Sequence, residues 1–326
     1  MHAWLCEQTT GVDDLAWKEL PTPEPGPKDV RIRVQAASLN FPDVLIVQGK
    51  YQTKPELPFV PGAEFAGLVE AVGTDVKHLH VGQKVACVGA TGGFATHAIA
   101  PAALCVPLPE SFPATEAAAF TMIYGTSHHA LLDRGQLKAG ETLLVLGAAG
   151  GVGTAAVQIG KAVGATVIAA ASTDEKCAYC TQQGADHTIN YSREDLRDRL
   201  KEITHGAGPD VIYDPVGGPY TEPAFRSIAW RGRLLVIGFA AGEIPALRLN
   251  LALVKGASIV GVFWGRFAQS EPKANAAMME ELVRWHAAGK IKPRLDRTMP
   301  MSGLKAAYAA MTLRTIKGKL VLVNPD

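Results

Sequence analysis

Apolar residues follow two different rhythms along this chain. Over roughly the first 120 positions they form short stretches, Val30–Ala36, Ala66–Val72 and Lys84–Val88, each cut off by Pro or Gly. That spacing predicts a compact β-rich region. The proline-rich "LPTPEPGPKD" (20–29) reads as a loop inside it, not as a linker. From about Phe120 onward helical and strand-like segments alternate: "TSHHALLDRG" (126–135), "EDLRDRLKEITHG" (194–206), "PDVIYDPVG" (209–217), "AFRSIAWRG" (224–232), "RLLVIGF" (233–239) and "SIVGVFW" (258–264). Such alternation implies an α/β, doubly wound parallel sheet. The C-terminal segment predicts two amphipathic helices, Lys273–Ala288 and Met301–Met311, and a strand, "KLVLV" (319–323).

The uncharged run Leu143–Gly160 contains five glycines. A membrane span is excluded because the glycines cluster at one turn and Lys161 follows closely. The run reads instead as a buried strand, Leu143–Leu146, then a glycine turn. From Thr154 a helix follows, with Ala155, Ala156, Ile159 and Val163 on one face. A second strand, Thr166–Ala171, completes a βαβ unit. The turn has the form A-x-G-x-x-G at Ala148, Gly150 and Gly153, with Gly151 and Val152 between. Gly150 lets backbone approach a pyrophosphate, and Gly153 lets helix and strand pack closely. The helix start offers unpaired N–H groups and a positive dipole end to the anion.

The end of the second strand distinguishes NAD from NADP, because an acid there holds the ribose 2′-hydroxyl. Here it ends at Ser172, with Lys176 four residues on and Tyr191 closing the next apolar segment. A hydroxyl, an ammonium and a phenol together suit a 2′-phosphate. Asp174 and Glu175 oppose one, and the residues leave Lys176 open between phosphate ligand and solvated helix-start lysine. Gly238, Phe263 and Trp264, at the ends of the later apolar segments, complete the candidate cofactor contacts.

Composition narrows the function classes. A chain of 326 residues is long enough for two domains. Lys and Arg total 32 against 31 for Asp and Glu, so the net charge of +1 supplies no overall field for nucleic acid or an anionic membrane. The N-terminal "MHAWLCEQTTGVDD" lacks the basic and apolar regions of a signal peptide. Five scattered cysteines, an odd number, fit reduced thiols in the cytoplasm. Cys177-x-x-Cys180 has no second pair and reads as structural. His78-x-His80 and His128-His129 lack partners at ligand spacing, the charges of Asp195–Glu202 read as a solvated helix face, and no nucleophile elbow is present.

The motifs "SLNFPDVLIVQGKY" (38–51), "PFVPGAEFAGLVEAVG" (58–73), "GAAGGVG" (147–153), "INYSREDLRDRLKEIT" (189–204), "DVIYDPVGG" (210–218) and "KGKLVLV" (317–323) resemble, over essentially the whole length, the zinc-independent NADPH:quinone oxidoreductases of the medium-chain dehydrogenase/reductase superfamily. The resemblance implies a β-rich, GroES-like catalytic domain (1–122 plus 266–326), an inserted Rossmann NADPH-binding domain (123–265), and a homodimer paired through the edge at 256–264. Alcohol dehydrogenases of the superfamily hold a catalytic zinc with a Cys in the first motif and a His-Glu in the second. Here Asn40 and Ala63 stand at those places and only Glu64 remains, too few ligands for zinc.

The same resemblance sets the loop from Asn40 to Tyr51 beside the nicotinamide. Without zinc, the developing oxyanion needs hydrogen-bond donors. The Asn40 amide and Tyr51 hydroxyl are the candidates, with Asp43 holding the loop; Asn before Pro-Asp is also a good helix start, so Asn40 is equally a helix cap. The expected activity is NADPH-dependent reduction of a small quinone or other activated alkene, without metal. An enoyl-thioester or alkenal reductase and a non-catalytic NADPH-binding protein are the alternatives.

Overall fold

Strand Asp29–Ser38 organises the first of two units into which the computed structural model divides, residues 1–122 with 293–326; the second is 123–292. All residues are described except Thr53, Ala90, Arg314 and Asp326. The strand buries Val30, Ile32 and Val34 at every second position, as a pleat with one face on a core requires. It lies mid-sheet, in the order Leu295–Pro300, Lys319–Val323, Asp29–Ser38, Glu64–Val72, Lys84–Val88, Cys105–Pro107, and also pairs with His97–Pro101. Phe65, Val85, Phe94, Tyr308, Leu320 and Leu322 fill the core around it.

Register matters most at one end of this strand. Its two central neighbours both run antiparallel to it, so they begin where it ends: Ser38 faces Glu64, the first residue of one, and Val321, near the start of the other. Residues far apart in sequence thereby meet at one sheet end.

The second unit is a six-stranded parallel sheet in the order His187–Asn190, Thr166–Ala171, Thr142–Leu146, Val211–Asp214, Arg233–Val236, Ser258–Gly261. In chain order this is third, second, first, fourth, fifth, sixth, the doubly wound arrangement expected. Leu144, Leu146, Ile168, Ile189, Ile212 and Leu234 are buried in its core.

Two details differ from the sequence reading. The chain returns to the first unit at Pro293, not at 266. Helix Pro272–Ala287 stays with the second unit because Met278, Met279 and Leu282 are buried there and Glu281 lies 3.3 Å from the His128 imidazole. The last strand of the parallel sheet also stops at Gly261 rather than running through 264. Trp264 starts a helix, Trp264–Ser270, and packs its ring so closely on Gly125 that a Cβ there would come within 2.7 Å of it.

Candidate functional sites

The strand Thr142–Leu146 is buried almost throughout and ends at Gly147, whose φ of 59° favours glycine. Helix Gly151–Val163 then starts, with extended Gly150 as its N-cap. By helix geometry the N–H groups of Gly151, Val152 and Gly153 have no intrahelical acceptor and are open to an anion. Gly153 admits no side chain: a Cβ would lie 2.4 Å from the Gly147 carbonyl oxygen and 2.7 Å from Ala148 Cα. Ala148 is buried beneath the turn. These residues fit a dinucleotide pyrophosphate.

At the end of the next strand, Lys176 Nζ lies 3.4 Å from Ser172 Oγ. The Thr173 hydroxyl caps helix Asp174–Gln182 by accepting the Lys176 backbone N–H, which fixes the first turn. Ser192 Oγ donates to the Ser172 carbonyl at 2.9 Å. Asp174, expected to repel a phosphate, is occupied: Asn190 Nδ2 donates to one carboxylate oxygen and Arg193 pairs with the other, each at 2.8 Å. Tyr191 packs its ring 4.3 Å from that of Tyr220. Ser192 and Arg193 are thus additions that the sequence reading missed; the signal was the "YSR" following the third strand of the parallel sheet.

The remaining cofactor candidates separate. Gly238 donates its N–H to the Asp214 carbonyl at 3.3 Å, and Phe263 is 63% exposed. Trp264 turns inward, with its indole N–H donated to Asn275 at 3.0 Å. Its side chain is committed to the interior of this unit.

In the first unit, Asn40 precedes helix Phe41–Val47. Asn40 is the N-cap of this helix, and Asp43 closes the capping box by accepting the Asn40 backbone N–H at 2.8 Å. The other Asp43 oxygen accepts the Ala63 N–H at 3.0 Å, tying the two motif loops together. Asp43 is 1% exposed, and burial pushes its carboxyl up to about 7. The two backbone donors and the Lys319 ammonium pull the other way, and the Glu64 carboxylate adds to the rise.

The Asn40 side chain faces a buried charge pair. Its Nδ2 donates to Glu64 Oε2 at 3.0 Å, and its Oδ1 accepts from Lys319 Nζ. The same Glu64 oxygen accepts from Ser38 Oγ at 2.7 Å and from Lys319 at 3.2 Å, while Oε1 accepts the Met122 N–H at 2.7 Å. Tyr51 is half-buried against the same core, and its phenol is raised by burial and by the charge of Asp43. It therefore stays protonated, and a donor, at neutral pH. Sequence reasoning missed Ser38 and Lys319; a lysine opening the apolar strand "KLVLV" was the only mark of the latter. Among the described residues no group of three or more His, Cys, Asp or Glu side chains is placed to hold a metal ion, and no helix is long and apolar enough to cross a membrane.

Comparison with known proteins identifies the family. The alcohol dehydrogenase GroES-like domain matches residues 26–110, and the zinc-binding dehydrogenase domain matches residues 151–283. The chain is 36% identical over 303 residues to quinone oxidoreductase-like protein 2 of Bos taurus, covering 92% of this chain and 87% of the other. It is 34% identical over 316 residues to the quinone oxidoreductase of Pseudomonas aeruginosa, covering 96% of each. The crystal structure of Escherichia coli quinone oxidoreductase complexed with NADPH superposes with a TM-score of 0.93 at 28% identity, over 99% of this chain and 100% of that one.

Proposed function

Because the chain belongs to the quinone oxidoreductases of the medium-chain dehydrogenase/reductase superfamily and is an oxidoreductase using a nicotinamide cofactor, we propose that it reduces quinones or other activated alkenes with NADPH and without a metal. The bound dinucleotide supplies the hydride. The chain's own residues bind it, orient the acceptor and stabilise the charge that develops on the acceptor oxygen.

The observation that carries this reading is the buried Asn40 amide, which has one N–H spent on Glu64 and a second without a protein partner among the described residues. It offers a neutral, pre-oriented donor where zinc-dependent relatives in the superfamily place a ligand. The Tyr51 hydroxyl is the second donor. Both act on the oxygen as it becomes anionic, the moment when a fixed dipole contributes most. A quinone, reduced to a stable phenolate, needs this help less than an enone does. The deciding experiment is a panel of quinones, enones and enoyl thioesters with NADPH and NADH in parallel. Preferred turnover of thioesters would redirect the substrate assignment, and NADPH binding without turnover of any compound would remove the catalytic role. Zinc content belongs in the same experiment: stoichiometric zinc, with activity lost on chelation, would overturn the metal-free reading.

NADPH is expected to be preferred over NADH. Ser172, Lys176 and Ser192 bring hydroxyls and an ammonium together at the strand end, and Arg193 offsets part of the Asp174 charge there. Lys176→Ala should erode the preference by about 1–3 kcal/mol, the scale of a charge-assisted hydrogen bond, and Arg193→Ala should act in the same direction. Ratios of kcat/KM for the two cofactors measure this, and equal use of both by the wild type would reject it.

A homodimer is expected through one edge of the parallel sheet. Strand Ser258–Gly261 is its outermost, with Ile259 exposed, and the preceding helix exposes Leu253 and Val254. An uncovered apolar edge is costly to leave in water, and pairing it with itself across a two-fold axis closes the assembly. Mass in solution tests this, with a monomer at micromolar concentration as the contrary result. A cytoplasmic setting suits the five free thiols.

A further inference from the structure

Lys319 lies 4% exposed beside Glu64, which is fully buried. Its ammonium has three N–H donors. They face the Leu39 carbonyl at 2.9 Å, Asn40 Oδ1, and Glu64 Oε2 at 3.2 Å. All three are used, so Lys319 has no donor left for a substrate or a nucleotide. What it can control is Asn40. Turning that amide by half a rotation would set Oδ1 against the Glu64 carboxylate and the NH2 group against the ammonium, repulsive on both sides. The pair therefore selects one amide orientation. It also makes the site electrically neutral: without the ammonium, the Glu64 carboxylate would oppose any negative charge forming on a nearby substrate oxygen.

We propose that Lys319, paired with Glu64, is a positioning residue that locks the Asn40 amide with its second Nδ2–H presented to the substrate oxygen and cancels the Glu64 charge behind it. The inference rests on Asn40 being the donor. The fold supports it mechanically, because Ser38, Glu64 and Lys319 are carried on three adjacent paired strands, which hold a site more precisely than loops do.

The test compares Lys319→Met, Lys319→Arg, Asn40→Ala and the Lys319→Met/Asn40→Ala double variant. Measured quantities are kcat and KM for an enone and a quinone, NADPH affinity by fluorescence, and thermal midpoint. Lys319→Met should lower kcat on the enone by about tenfold to a hundredfold, the range of a misplaced catalytic group, with NADPH affinity unchanged. Lys319→Arg should recover part of that loss; a merely space-filling role would instead favour the Met variant. In the Asn40→Ala background, Lys319→Met should cost clearly less kcat than in the wild type, because the positioning role is already gone and only the uncancelled Glu64 charge remains. Additive losses would overturn the inference. Should Lys319→Met fail to fold with Glu64 uncompensated, the neutral pair Glu64→Gln/Lys319→Met replaces it: lowered kcat supports the inference and wild-type kcat overturns it. Loss of turnover in Asn40→Ala with full turnover in Lys319→Met would sink this inference alone. Full turnover in Asn40→Ala would sink the donor reading, and this inference with it.

Discussion

Asn40→Ala and Tyr51→Phe should each reduce turnover by about 2.7–4 kcal/mol in the transition state, the cost of removing one oxyanion donor. The Asn40 amide is 7% exposed and held by Glu64 and Lys319, so it pays little reorganisation when charge develops. Tyr51 is raised by burial and remains a phenol at neutral pH. Neither residue belongs to the nucleotide-binding unit, so NADPH affinity should stay close to that of the wild type. The loss should fall on kcat and exceed, for an enone, the loss for a quinone, since the enolate depends more on its donors. Steady-state turnover on both substrates, with cofactor affinity measured separately, checks this. Full turnover by both variants on both substrates would mean that hydride positioning alone carries the reaction.

Local features of the site were legible in the sequence, and long-range ones were not. The strand–turn–helix at residues 143–163 could be read because its information is local: a continuous apolar run, glycines at defined offsets, then apolar positions at helical spacing. Gly153 shows why the offset matters, since its missing Cβ is what lets the helix start against Ala148. Asn40 and Asp43 could be singled out for the same reason, as the N-cap and N3 residues of a short helix-start signature. Lys319 could not. Its partners lie 255 and 279 residues away, and only the register of three strands brings them together. Arg193 was hidden differently: no motif marks it, and only the structure pairs it with the Asp174 carboxylate. The boundary at Pro293 was illegible because an amphipathic helix states that it packs, not against what. The buried Met278, Met279 and Leu282 of helix Pro272–Ala287 settle that only in three dimensions.

Asp43 should make the protein lose stability as pH rises from about 4 to 7. Its carboxyl is raised from 3.8 to about 7 in the folded chain, chiefly by burial. The folded state therefore binds a proton that the unfolded state has released across this window, and stability falls with increasing pH. The contribution is complete below the unfolded value and is lost as pH passes through the folded one. A shift of this size corresponds to about 4 kcal/mol in total, at about 1.4 kcal/mol per pH unit. The groups acting on Asp43 are the Asn40 and Ala63 N–H donors, the Lys319 ammonium and the Glu64 carboxylate. Asp43→Asn keeps the size of the side chain but cannot ionise. Its unfolding free energy, measured by urea titration at pH 5, 6 and 7, should rise relative to wild type by about 1 kcal/mol per unit, with the smaller step between pH 6 and 7 where the folded group begins to ionise. Its absolute stability should still be lower at pH 5, where wild-type Asp43 is neutral and bonded on both sides. A direct NMR titration of the Asp43 carboxyl carbon gives the same answer without mutation. A midpoint near 4 would show that the two backbone donors and the ammonium outweigh burial, and the stability difference between wild type and variant would then be flat across the window.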